Sequence, residues 1–465
     1  MRSLHTAGAV SARFDDPNLV SHAGLVPVMR LAERAGLGGL ADELLTLGTT
    51  AGANAGAKVS TIVAGMAAGA DSIDDLDIVR HGAMPRLFAG ARAPSTLGTF
   101  LRGFALGHVA QLQNVATGVL AKLAAHDPRL LGGAGELAFL DIDSKITRVF
   151  GAGKDGAAFG YTKVRGLNFL AGCLSSPVCA PVITGTRLRG GQAHSARNAV
   201  SFVRANLATA RACGATGTLV VRLDSGFYHG EILAAITEAG ARFSVTAPQN
   251  PSVRAAIAGI GENAWQPIAY ARPVYDQDSR TWVRAADVAE IPCTAFANPT
   301  RNGQRITARL VVRRVRDTAR DATGELFPAY RYQAVFTNTG FDTVTAETHH
   351  RGRAGTIEQI FADLNDSALA HFPSGRFAAN AAWLALAALA HNLLRAAGSL
   401  ASRFHANART ATIRAHLVAV AARLARTART TTLHLPQHWP RADSYLGLFT
   451  ATHQPDPARR KPRTT

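Results

Sequence analysis

From Leu25 to Leu123 apolar residues recur at three- and four-residue spacing, with Gly-rich or Pro-containing breaks between the runs. Val28-Met-Arg-Leu-Ala-Glu-Arg-Ala-Gly36, Ser60-Thr-Ile-Val-Ala-Gly-Met66 and Leu106 to Leu123 show it best. The period predicts an all-helical N-terminal domain over residues 1–130, loose up to residue 20. Within it Pro94 to Arg102 reads as a short helix after a turn, a candidate DNA-reading helix. At Leu137 the texture changes to strands: Leu137 to Asp143, Thr147 to Phe150, Leu167 to Cys173 and Val182 to Thr186. A helix from Ala193 to Ala212, a strand Thr218 to Asp224, a helix Gly230 to Ala239 and a strand Ala241 to Thr246 follow. Such alternation predicts an α/β sheet of mixed strand direction with helices on both faces. Residues 249–336 continue as strands without clear helices, including Ile306 to Arg314 and Tyr330 to Phe336, and read as a β-rich insertion. Helices resume at Arg353, the run Phe377 to Ala397 is apolar enough to cover the sheet, and a further helix is predicted over Ala411 to Ala428.

The strand pattern delivers carboxylates. Asp141 and Asp143 share one face of the Leu137 strand, because strand side chains alternate with period two. The run Thr218-Leu-Val-Val-Arg-Leu-Asp224 ends on a third acid, and Glu358 sits in the predicted helix Thr356 to Leu364. Oxygen donors from strand, strand and helix form the ligand set that a hard divalent metal takes. Glu347 and Asp363 compete for the helical position but read as surface or capping charges, and Asp71 to Asp77 reads as helix caps on a solvated face. The Asp-x-Asp strand also resembles that of haloacid-dehalogenase-like phosphatases, which would make Asp141 a nucleophile and Asp143 its proton shuttle. The long helical segment before the strand and the basic charge speak against that alternative.

Composition changes the picture in three ways. At 465 residues and 47% hydrophobic the chain fills more than one average core. A net charge of +18 makes a polyanion, first of all nucleic acid, the expected partner, and the last 65 residues hold 11 Lys or Arg against 2 acids. Four cysteines without CxxC spacing fit a reduced, cytoplasmic protein. The most apolar segment, Ala381 to Ala390, is about half a membrane span and reads as a buried helix. No Walker loop, Rossmann glycine pattern or nucleophile elbow points to a nucleotide or organic cofactor.

With the acids placed, the chain resembles the DDE transposases of bacterial insertion sequences, closest to the insertion-sequence thirteen-eighty group. The resemblance runs from Ser21 to Trp439. It is carried by Asp141-Ile-Asp-Ser144, Gly160-Tyr-Thr-Lys-Val-Arg-Gly166, Ala193-His-Ser-Ala-Arg197, Arg222-Leu-Asp-Ser-Gly-Phe-Tyr228, Ile357-Glu358 and Pro373 to Trp383. It implies a ribonuclease-H-like catalytic domain over residues 131–400, interrupted by the insertion at 249–336, and a basic C-terminal region over 401–465 with a disordered tail at Ala458 to Arg463. It makes Asp143, Asp224 and Glu358 the catalytic metal ligands for Mg2+ or Mn2+, two ions in all. Asp143 is preferred to Asp141 because the family's first acid precedes a small residue, here Ser144.

The implied DNA contacts are Lys163, Arg165, Arg197, Arg222, Tyr228, Trp265, Arg351, Arg353, Arg376, Arg423 and Arg426. Two readings compete for Trp265 and Trp282: both fill the core of a small β-domain, or one stacks on a flipped base, for which Trp265 is the candidate because Pro267 suggests a loop tip, whereas Trp282 lies in an alternating strand. The implied reaction is cut-and-paste transposition: water cuts the element end, and the freed 3′ hydroxyl attacks target DNA. Double-stranded DNA with terminal inverted repeats, target DNA and a homodimer on DNA are the implied partners, with no membrane. Around Glu358 the family pattern expects an Arg and a Lys where this chain has Ala354 and Asn365. That departure supports a second reading, a catalytically weakened, transposase-derived DNA-binding protein.

Overall fold

The computed structural model describes residues 9–48, 52–151, 153–160, 163–276, 281–296, 305–317 and 329–454. After a two-residue strand, β1 (Leu19–Val20), the apolar spacing closes into helices α1 (Leu25–Arg34), α2 (Leu37–Leu44), α3 (Ala55–Ala68), α4 (Met84–Leu87), α5 (Pro94–Arg102) and α6 (Leu106–His126). The turn between α1 and α2 requires Gly36, whose φ of 75° lies in the left-handed region.

The central sheet begins with β2 (Leu137–Arg148), one strand where the sequence suggests two, since its pairing with the strand beside it runs unbroken from Phe139 to Arg148. After β3 (Ala158–Phe159), strands β4 (Arg165–Ser176) and β5 (Cys179–Gly190) complete an antiparallel meander, with Asp143 opposite Ala171. Helix α7 (Ala199–Ala212) starts later than expected. The Arg189 guanidinium donates to the carbonyls of His194 and Ser195 at 3.0 Å each, which keeps residues 193–198 as a loop. Crossovers through α7 and α8 (Gly230–Glu238) return β6 (Thr218–Leu223) and β7 (Arg242–Ala247) parallel to β2.

The inserted segment corrects the sequence reading twice. It holds a helix, α9 (Pro251–Ala258), started by Pro251 and by the Asn250 side chain accepting the Val253 N–H at 2.9 Å. Its strands β8 (Gln266–Asp276), β9 (Thr281–Ala295), β10 (Ile306–Arg316) and β11 (Tyr330–Thr337) do not form a small domain of their own. β11 pairs with β7, so among the described residues one ten-stranded sheet runs β3-β4-β2-β6-β7-β11-β10-β9-β8, with β5 also on β4. The pairing satisfies the backbone of β7, which would otherwise be an open edge.

Helix α10 (Thr343–Asn365) starts before the expected Arg353, because Asp342 caps it by accepting the Thr345 N–H at 2.9 Å. Helix α11 (Phe377–Ala401) has 25 residues, longer than the apolar run suggested and enough to cross a membrane, but 89% of its apolar window is buried inside the protein. It also carries the buried polar residues Asn380, His391, Asn392 and Arg395. Helices α1, α3, α5 and α6 pack on it, as does β5. Asn392 accepts the Ile183 N–H at 2.8 Å and donates to the Ile183 carbonyl at 2.7 Å, closing part of the β5 edge.

The predicted helix over Ala411 to Ala428 is replaced by shorter pieces. α12 (Arg403–Asn407), α13 (Thr410–Ile413) and a π turn to Val418 lead into β12 (Ala422–Arg426), β13 (Thr431–His434) and α14 (Ala442–His453). β12 pairs with both β1 and β13, and that pairing overrides the helix propensity of its Ala and Arg residues. The two ends interlock elsewhere too: the Ala23 N–H donates to the Val420 carbonyl at 2.9 Å, and the Tyr445 hydroxyl donates to the Ala23 carbonyl at 3.2 Å. One continuous core runs from Val20 to Leu448. The tail Ala458 to Arg463 lies outside the described residues.

Candidate active site

Asp143 lies in β2 and Asp224 follows β6 directly, and the register Ile142 to Leu223 brings the two positions side by side. Asp224 begins a short turn over Ser225–Phe227, where its Oδ1 accepts the Gly226 N–H at 3.0 Å. Helix α10 turns a stripe of Glu347, His350, Arg351, Ala354, Ile357, Glu358 and Phe361 toward the same space. Asp143, Asp224 and Glu358 line one cavity of about 650 Å³, whose far wall is built by the inserted strands through Val311, Arg313, Tyr332 and Gln333. Among the described residues no three His, Cys, Asp or Glu side chains close on a single point.

The electrostatics separate the two acids of β2. Asp141 is fully buried, and both its oxygens accept from Arg222, Nε and Nη2 each at 2.6 Å. Arg222 also lies over the Phe139 ring at 4.2 Å and is only 3% exposed. Asp141, sealed from solvent and absent from the cavity lining, has no access to a substrate, which speaks against the phosphatase-like alternative. Arg222 is corrected from DNA contact to internal counter-ion. Asp143 stays at the cavity, with Oδ1 accepting the Ser144 N–H at 2.7 Å and Oδ2 accepting Arg353 Nη1 at 2.9 Å. Asp224 holds its proton more tightly than an ordinary aspartate, first through burial and then through the charge of Asp143, with Arg353 and the Gly226 N–H opposing. Two charge-coupled carboxylates of hard oxygen donors fit a divalent cation, which relieves their repulsion.

A family model, transposase DDE domain group 1, matches residues 3–455. The chain belongs to the DDE transposase family. No curated protein matches it. Some of the blocks seen in the sequence touch one another: Ser144 Oγ and Ser195 Oγ are 3.2 Å apart, and the His194 and His229 rings lie edge to face at 6.1 Å between centroids. In the glycine-rich block, Lys163 is exposed with a φ of 57°, and Arg165 donates to the Gly151 carbonyl at 2.7 Å. Arg197 is exposed. Tyr228 is half-buried against Phe296 at 4.8 Å, and burial pushes its hydroxyl up to about 12.

Trp265 is not at a loop tip. It closes the short turn Glu262–Ala264 and packs against the core with Arg314 at 4.3 Å over its ring and Tyr332 at 6.0 Å. Trp282, on β9, is 69% exposed. Arg351 lines the cavity, donates to Glu347 at 3.0 Å and covers Tyr270 at 4.6 Å. Glu347 lies in the same cavity but is buried against Arg351, and Asp363 is buried against Arg409 outside it. Arg376, exposed, donates to the Arg102 carbonyl at 3.0 Å. Arg423 and Arg426 are exposed on β12, in the separate three-stranded sheet, with Asp16 at 3.3 Å from Arg423. The sequence reading missed Arg189 and the polar group of Arg313, Tyr270 and Gln333, in which Arg313 donates to the other two at 2.8 and 2.7 Å. Arginine inside the apolar run Leu310-Val-Val-Arg-Arg-Val315 was the signal available for Arg313.

Proposed function

We propose that this transposase has a ribonuclease-H-like core of the insertion-sequence thirteen-eighty type and catalyses metal-dependent cleavage and strand transfer at insertion-sequence ends. The observation that carries it is the meeting of Asp143, Asp224 and Glu358, from three distant segments, around one cavity while Asp141 is consumed by Arg222. The order β5-β4-β2-β6-β7, three antiparallel strands and then two parallel ones, supports the core assignment. Asp143, Asp224 and Glu358 would hold Mg2+ or Mn2+, two ions, which activate the attacking oxygen and stabilise the leaving one. Burial of Asp224 and the Ser144 and Gly226 N–H groups fix the carboxylates in place, and Arg351 offers a guanidinium to the scissile phosphate. No side chain is needed as a covalent nucleophile. The N-terminal helices and the basic C-terminal region hold the terminal inverted repeats, and a homodimer on DNA brings two ends together.

The second reading, a binding protein with weakened catalysis, rests on Ala354, which lines the cavity where the family pattern expects Arg. A cleavage assay on duplexes carrying the inverted repeats that flank the gene separates the two. Asp143→Ala, Asp224→Ala and Glu358→Ala each reduce Mg2+-dependent cleavage to background while end binding persists. Full cleavage by any one of them refutes the assignment. Asp141→Ala behaves differently: it leaves Arg222 buried and unpaired, costing roughly 3–5 kcal/mol of stability, and a thermal melt reads that loss.

A further inference from the structure

Arg353 stands on α10 at the edge facing β2, and its Nη1 donates to Asp143 Oδ2 at 2.9 Å, the two side chains being 15% and 17% exposed. The other Asp143 oxygen already accepts the Ser144 N–H at 2.7 Å. The guanidinium thus holds the Asp143 oxygen that carries no backbone hydrogen bond. The same guanidinium offsets the charge of Asp224. Of the neighbouring cations, Arg222 is paired with Asp141, and Arg351 pairs with Glu347 through its Nε. His350, buried between Ser244 and Thr246, does not contribute a charge, since burial first and Arg353 and Arg222 next push it down to about 3.

We propose that Arg353 is the resident counter-ion of the Asp143 and Asp224 pair, that it competes with the divalent cation for Asp143, and that metal loading turns its guanidinium onto DNA phosphate. The inference rests on the metal-dependent reading above. A divalent ion binds a carboxylate oxygen at about 2.0–2.1 Å for Mg2+, and a guanidinium held on that same oxygen would face it as a like charge. The two therefore compete for that oxygen. Arginine has a long side chain and a planar fork suited to a phosphate, so the displaced group has a natural second partner when DNA lies in the cavity. Metal and DNA then favour one another's binding through a single side chain, and such coupling is reciprocal.

The test measures Mn2+ binding to the full-length protein without DNA, by following free Mn2+ in solution. Arg353→Gln should tighten Mn2+ binding by about tenfold, and Arg353→Ala should do the same, each with a thermal melt to verify folding. With duplex DNA added, wild-type protein should gain Mn2+ affinity while the Arg353→Gln protein gains less. Mn2+ affinity that is unchanged or lower in both variants overturns the proposal and leaves the metal site standing. Loss of Mn2+ binding in Asp143→Asn confirms that the ion measured is the one in question. If neither wild type nor Arg353→Gln binds Mn2+ although DNA binding persists, the metal-dependent reading itself falls, and this inference with it.

Discussion

Asp141 and Asp143 are the same residue type two positions apart on one strand, and their surroundings give them opposite tasks. Asp141 neutralises a buried guanidinium, while Asp143 is left facing the cavity. Asp224 completes the pair at a cost, because burial and the charge of Asp143 both disfavour its ionised form. The folded protein therefore binds the Asp224 proton more tightly than the unfolded chain does. Its destabilising effect is absent below the ordinary value of 3.8 and grows as pH rises through the elevated folded value. With a chelator present, Asp224→Asn should raise the melting temperature at pH 7, and the gain should vanish below pH 3.8; melts across that range check it. The acids were legible in the sequence because each ends or interrupts an apolar run. Arg222 was not, since a strand side chain shows its face but not its partner, and the partner lies on a neighbouring strand with the helical crossover α7 between them.

The elements show the same division. Strands and helices with clear period were found within a few residues, including the long apolar helix α11. The β12 strand was misread as helix because its pairing with β1 depends on residues at the other end of the chain. The inserted strands were recognised as strands, but their continuity with β7 was not, since pairing leaves no local signal. Asn392 illustrates what such partners contribute. It is 3% exposed and takes both backbone groups of Ile183, as a neighbouring strand would. Asn392→Ala leaves a buried N–H and a buried carbonyl unpaired, at about 1–3 kcal/mol each. Urea unfolding should show a loss of roughly 2–6 kcal/mol, against a near-neutral change for a substitution at exposed Arg197.

At the scale of the whole molecule, half of the net charge lies after residue 400, in a region that is also part of the core. Deleting it would remove β12 and α14 and unfold the protein rather than test the charge. Substituting exposed Arg423, Arg426 and Arg429 with Gln keeps the fold. If these groups hold phosphates, the slope of log affinity against log salt falls by about 0.9 for each phosphate that is no longer neutralised; an unchanged slope in a binding titration marks the charge as a solubilising surface only. The interlocked ends have a consequence in time. Tyr445 reaches Ala23 across 422 residues of sequence, and β1 has no strand to join until β12 exists. At about 5–20 residues per second a ribosome needs roughly 20–85 s to span that gap. Throughout that interval the first strand of the nascent chain waits unpaired, and the clasp can close only after residue 445 has left the exit tunnel.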